Sequence, residues 1–243
     1  MSAVFGALFL IGGTFLYSAL NQIPTCSDGK QNQNEEGVDC GGVCNRACVD
    51  QVVAPITLWS RSIEVSKGVY DAIAFVENPN PKTGVSSVAY KFKLYDSENI
   101  LVVERAGKTF INPNERLYIF ESNIKTGERV PKRAFFEFQS GPNWQKTDNK
   151  KPLISVKNQR FIEEEGSLKV DIVNSLFFEL KDVVVTAILI DEDGNVFASS
   201  EALVKSLPGD GVQEIFFTWP APFEKRPAKI EVIPRINVFE LDS

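Results

Sequence analysis

Histidine is absent from all 243 residues. Its absence removes Ser-His-Asp and Cys-His catalysis, imidazole metal sites and the usual general base near neutral pH. Clustered cations are missing as well: 26 Lys and Arg stand against 32 Asp and Glu, for a net charge of −6, and no basic tract occurs. Nucleic acid is therefore not an expected partner, because phosphate binding needs grouped cations. There is no glycine-rich phosphate loop, no serine nucleophile elbow and no dinucleotide fingerprint. No catalytic residue, no organic cofactor and no small-molecule substrate is expected, and the chain is not read as an enzyme. From Pro55 onward no window holds a 3.6-residue apolar period, which argues against helical domains.

Charge is missing from one further stretch, Ala3 to Leu20, AVFGALFLIGGTFLYSAL. As a helix rising about 1.5 Å per residue, that run spans roughly 27 Å, about one hydrocarbon core. The expectation is a signal-anchor transmembrane helix over residues 1–22, with residues 23–243 outside the cytoplasm. A cleaved signal peptide is the main rival, but no Lys or Arg precedes the run and Tyr17-Ser18-Ala19 is a poor cleavage site. Ser2 and Gly6, Ala3 and Ala7, and the Gly12-Gly13 pair are small residues that would let a second helix approach closely, although ordinary glycine tolerance in a membrane span is the favoured reading.

All four cysteines, Cys26, Cys40, Cys44 and Cys48, fall within TCSDGKQNQNEEGVDCGGVCNRAC. Their spacing is not the paired C-x2-C of a zinc ribbon, although four thiolates facing the cytoplasm could still bind zinc. An even count in a short Gly-rich segment beside an apolar run reads as two disulfides in an oxidising compartment, and sequence leaves three pairings open. Between the cysteines, Asp28, Asn32, Glu35 and Asp39 offer the oxygen ligands that calcium prefers. Their spacing is not that of an EF-hand, and the same acids also read as a solvated loop shaped by the disulfides alone. The string C-x-D-G-x-x-N-x-x-E-x-x-x-D-C-G-G-x-C-x-x-x-C resembles a Cys-rich element just outside the membrane helix of uncharacterised bacterial surface proteins, notably of candidate lineages. It covers Cys26, Asp28, Gly29, Asn32, Glu35, Asp39, Cys40, Gly41, Gly42, Cys44 and Cys48. The resemblance implies an extracytoplasmic location and assigns no activity.

Beyond it, β-branched and aromatic runs alternate with turn signals, the pattern of antiparallel strands. Strands are expected near Ile56–Arg61, Val69–Val76, Val85–Tyr95, Ile100–Thr109, Arg116–Phe120 and Ala134–Phe138. A second set is expected near Leu153–Val156, Gly166–Val173, Val183–Asp191, Val196–Val204, Val212–Trp219 and Ala228–Ile233. The sets align: Asp96 with Asp191 and Pro113 with Pro208 at a spacing of 95, and Ala134-x-x-Glu137-Phe138 with Ala228-x-x-Glu231-Val232 at 94. Such a repeat argues for two tandem immunoglobulin-like, Greek-key β-sandwiches. Phe92-Lys93-Leu94-Tyr95-Asp96, with the flanking VENPNP and SENILV, resembles the FxLYD domain, a small sandwich of extracytoplasmic bacterial and archaeal proteins. In the second copy Ala187-Ile188-Leu189-Ile190-Asp191 keeps only the Leu and the Asp. Tyr90, Phe92 and Leu94 should face the core, while Asp96 and Asp191 should cap turns by accepting backbone N–H bonds.

The acidic groups Glu163-Glu164-Glu165 and Asp191-Glu192-Asp193 read as solvated turns, and Phe216, Phe217, Trp219 and Phe223 as strand and edge packing rather than an exposed binding surface. The expected organisation is mainly β: membrane helix 1–22, Cys-rich and candidate calcium-binding element 23–50, first sandwich 51–140, linker 141–151 and second sandwich 152–243. The expected function is that of a membrane-anchored cell-surface protein whose non-catalytic ectodomain acts as spacer, adhesion or protein-binding module. Its partners would be the membrane and other surface proteins or itself. With the sandwiches stacked end to end, a binding surface would stand roughly 80 Å from the bilayer. The alternative is a pilin-like subunit that assembles a filament through its apolar helix.

Overall fold

The computed structural model describes residues 24–139, 141–223 and 226–241. The expected membrane helix lies outside the described residues, and among those described no helix is long and apolar enough to cross a membrane. The chain divides at Cys48/Val49 into two compact units. The first holds two disulfides, and the second is built of antiparallel β-strands.

In the second unit, β1 (Ile56–Ser66), β2 (Val69–Asn78), β3 (Thr83–Tyr95), β4 (Leu101–Ile111), β5 (Glu115–Lys125) and β6 (Arg133–Phe138) form two sheets, ordered β1-β2-β5 and β4-β3-β6. After the short β7 (Gln145–Lys146), the strands β8 (Ile154–Ile162), β9 (Ser167–Asn174), β10 (Leu180–Ile190), β11 (Val196–Leu207), β12 (Val212–Thr218) and β13 (Lys229–Arg235) repeat that order as β8-β9-β12 and β11-β10-β13. All twelve strands read from the sequence are present. The segment expected as a linker is pinned: β7 pairs with Thr83 and Gly84 of β3, and Trp144 is buried.

The register corrects one alignment of the repeat. Leu94 faces Ala134 across β3 and β6, and Leu189 faces Ile230 across β10 and β13, so the partner of Ala134 is Ile230 rather than Ala228. A two-residue slip leaves every side chain on its own face, so the apolar pattern could not detect it.

Each copy has its own core. Tyr70, Ala72, Ala74, Val76, Tyr90, Phe92, Leu94, Leu117 and Ile119 fill the first, with Tyr90, Phe92 and Leu94 inward as alternation requires. Leu168, Val170, Ile172, Val183, Val185, Ala187, Ile215 and Phe217 fill the second. A third apolar cluster lies between the copies: Ile73, Tyr118 and Ile188 are buried, and Trp59, Ile63, Phe75, Phe120, Ile190, Val196 and Ile233 pack against them. The copies are thus joined face to face in four layers, with β1-β2-β5 against β11-β10-β13, and the end-to-end stacking behind the 80 Å estimate is not found.

The reason is visible in the central strands. β2 and β10, VYDAIAFV and VVVTAILI, are buried on both faces and read as nearly continuous apolar runs. Their counterparts in the outer sheets, β3 and β9, alternate buried and half-exposed residues. Strand pairing makes the comparison quantitative. Phe75 faces Tyr118, and at the equivalent place in the second copy Asp171 faces Glu214. Ile73 corresponds in the same way to Lys169, and Ile188 and Ile233 of the second copy correspond to Lys93 and Glu137 of the first. Lys93 pairs with Glu137 at 2.8 Å, and Lys169 pairs with Glu214. Where one copy is apolar to form the seam, the other carries a charged pair that faces water, so the stack closes after two copies.

Polar contacts then lock the seam. Phe75 stacks on Tyr118 at 4.5 Å, and the Tyr118 hydroxyl donates to Glu231 at 3.1 Å. Burial and the neighbouring carboxylate push that hydroxyl up, so it remains a donor. Arg235, 3% exposed, donates to both oxygens of Glu115, 4% exposed, at 3.0 and 3.3 Å, and its guanidinium sits 4.3 Å from the Phe110 ring centre. Lys151 adds a third bond to Glu115 at 3.0 Å. Burial alone would raise the Glu115 carboxyl, but Arg235 and Lys151 outweigh it and hold it at about 2. The chain beyond β13 continues the lock: Asn112 donates to the Ile236 carbonyl, Val238 N–H donates to Asn112, and Asn237 donates to the Ser86 carbonyl.

Candidate functional site

Among its described residues, 24–48, the Cys-rich unit has almost no regular structure, and side chains do the work that a ladder does elsewhere. The pairing is Cys26–Cys44 and Cys40–Cys48, which leaves no sulfur among the described residues for zinc. Closing loops of this size removes roughly 2–4 kcal/mol of unfolded-state freedom per bridge. Gly42, at φ +52°, cannot be replaced: a Cβ there would lie 1.8 Å from the Asn34 carbonyl oxygen.

The four residues expected to bind calcium are drawn together by short bonds. Asp28 Oδ1 accepts the Lys30 N–H, and its Oδ2 accepts from Thr25 N–H and the Asn32 amide. The Asn32 amide is the first cause, ahead of the opposing effect of burial, that holds the Asp28 carboxyl below its ordinary value. Both oxygens of Asp39 accept from Gly29 N–H. Glu35, 7% exposed, accepts the N–H groups of Asn32 and Asp39 through Oε2. Its Oε1 lies 3.2 Å from Cys44 Sγ; sulfur in a disulfide carries no proton, so this is a contact and not a donated bond. Cys26, Glu35 and Cys44 also cluster as metal ligands would, yet two of the three are spent in one disulfide. Asn32 Oδ1 is likewise buried and has no hydrogen-bond partner among the described residues.

The capping aspartates behave as a pair. Asp96 Oδ1 accepts the N–H groups of Glu98 and Ile100, and Asp191 Oδ1 accepts those of Asp193 and Asn195. Arg129 bonds the other oxygen of Asp96 at 2.6 Å and, with those N–H groups, keeps its carboxyl low. Glu163–Glu165 form one exposed 3₁₀ turn. Of the four aromatics weighed as a surface, Phe217 is in the core. Trp219 and Phe223 pack edge to face at 5.3 Å, while Phe216 is exposed with Lys169 above it.

Comparison with known proteins adds little to this geometry. No family model matches the chain, and no curated protein matches it. A solved structure, red sea bream transglutaminase, is similar over 76% of this chain and 29% of its own length, at 10% identity and a TM-score of 0.25. A likeness that slight assigns neither fold nor activity.

Two sets of residues escaped the sequence reading. Asn78 and Asn174, each fully buried, hold the same corner in both copies. Each amide donates to two chain segments, the carbonyls of Thr83 and Asn112 in one copy and those of Phe178 and Leu207 in the other. Each Oδ1 accepts the N–H two residues on. Their spacing of 96, one more than the 95 between Asp96 and Asp191, was the available signal. Glu115 and Arg235 were missed because they are 120 residues apart and no local pattern links them.

Proposed function

We propose that the chain is a membrane-anchored cell-surface protein whose β ectodomain is a non-catalytic spacer, adhesion or protein-binding module. On this reading each copy is an immunoglobulin-like, Greek-key sandwich, and the first is of FxLYD type. The observation that carries the reading is the closed seam. Two copies sealed by an apolar layer and capped outside by Lys–Glu pairs make a stiff body suited to presenting a surface. The uncharged run at Ala3–Leu20 supports the anchor, and two disulfides in residues 24–48 support an oxidising, extracytoplasmic compartment. In native cells the protein should stay with membranes through a high-salt wash, and release with a mature N-terminus after Leu20 would overturn the anchor.

Calcium is a second element of the proposal, favoured by the unbonded Asn32 Oδ1 among the oxygens of Asp28, Glu35 and Asp39. Calcium should raise the melting temperature of the Cys-rich unit above its value in chelator, and Asp39→Asn should reduce the difference. Identical melts would leave those oxygens with only their backbone-capping role.

A further inference from the structure

At one margin of the seam the two copies do not close. A cavity of about 430 Å³ is lined by Val65, Asp71, Asn123, Ser199, Glu201 and Trp219, among others. A smaller lobe of about 160 Å³ shares Val65, Asp71, Ser199, Trp219 and Pro220 and adds Glu64, Phe197, Pro222 and Phe223. The combined volume is in the range of small-ligand sites. Among the described residues no Lys or Arg lines either lobe, whereas Glu64, Asp71 and Glu201 do.

Two polar groups in this groove are left wanting. Asp71 is 7% exposed, and its carboxyl accepts one bond, from Asn123 N–H at 3.0 Å. That N–H is free to reach it because the β2–β5 register skips there and Asn123 turns to φ +56°. Ser199 is 2% exposed and its hydroxyl has no partner among the described residues. It faces Ile188 across the β10–β11 pair, and both side chains look into the seam. A buried hydroxyl and a buried carboxyl from opposite copies, both short of partners and both lining one cavity, are expensive unless something enters to bond them. Burial pushes the Asp71 carboxyl up to about 6, so near neutral pH it is mostly ionised yet poorly solvated. Trp219 forms a fixed apolar wall, its indole N–H donating to the Ser199 carbonyl at 3.1 Å and its ring packed on Phe223.

We infer that this groove binds an alkylammonium or guanidinium group, with Asp71 as counter-ion, Ser199 as hydrogen-bond acceptor and Trp219 against the apolar stem. A cation supplies the missing charge to an acid-lined cavity, and an aromatic wall suits both the cation and its aliphatic carrier. The carrier is a Lys or Arg side chain of a partner protein or a free amine. This goes beyond the spacer role, and it stands or falls on ligand binding alone, whereas the anchor is read from membrane retention.

The test is ligand-observed NMR on the full-length chain in neutral detergent, with Nα-acetyl-lysine methylamide, 1,5-diaminopentane and the uncharged Nα-acetyl-norleucine methylamide as probes. At pH 7.5 both amines should bind and the norleucine derivative should bind at least tenfold more weakly. Tighter binding of the lysine derivative supports the site with a protein side chain as its source, and tighter binding of the diamine supports it with a free amine. Asp71→Asn, which keeps an acceptor for Asn123, should weaken the amines about tenfold or more. Lowering the wild type to pH 4.5, where Asp71 is protonated, should do the same if the variant fails to fold. Equal binding of the norleucine probe, amine binding unchanged both in the variant and at pH 4.5, or no amine binding up to about 10 mM overturns the inference.

Discussion

Arg235→Met should cost about 3–5 kcal/mol of unfolding free energy at pH 7, because it strands the Glu115 carboxylate where water cannot reach it. Lys151 remains as a partial partner on the exposed side of the site, which places the loss toward the lower figure. The effect should depend on pH in a defined direction. Glu115 is held at about 2 in the folded chain against an ordinary 4.5. Its stabilisation of about 3 kcal/mol is therefore complete above about pH 4.5 and disappears as pH falls toward 2. Urea unfolding of wild type and variant should diverge at pH 7 and draw together near pH 2.5. A constant difference across that range would mean that Arg235 acts through packing on Phe110 rather than through its charge.

Turning the seam face of the first copy into that of the second should separate the two. Ile73→Lys, Phe75→Asp and Tyr118→Glu together install the residues that the repeat carries at Lys169, Asp171 and Glu214, where they face water. The inner core of the first copy is not touched, since Phe92, Leu94, Leu117 and Ile119 point the other way. Burying an apolar side chain contributes roughly 1.5–3 kcal/mol, so the triple change removes about 5 kcal/mol or more from the contact between copies. Calorimetry should then show two transitions in place of one, with near-native far-ultraviolet circular dichroism before the first. A single transition at the wild-type temperature would show that the apolar seam contributes little.

Local patterns in this sequence speak clearly, and contacts between distant strands do not. Period-two alternation in Tyr90-Lys91-Phe92-Lys93-Leu94 marks β3 and its inner face, and turn residues around Asp96 and Asp191 mark the ends of β3 and β10. The oxygen-rich loop between the cysteines does form one compact arrangement, although which cysteine meets which depends on backbone turns that spacing does not encode. The seam had a signal that went unread. β2 and β10 lack the polar half of the alternation, as strands covered on both faces must, and each stands where the other copy packs. The Glu115–Arg235 bond and the Asp71–Ser199 groove arise only once those two sheets meet. No window of sequence contains both members of either pair.

The two copies form one body through the seam between them. A double-mutant cycle on Glu115→Gln and Arg235→Met, followed by urea unfolding at pH 7, tests it most directly. A coupling energy of about 2 kcal/mol or more within one cooperative transition is expected; single losses that add to within about 0.5 kcal/mol, with the two copies unfolding separately, would mean that the seam does not join them.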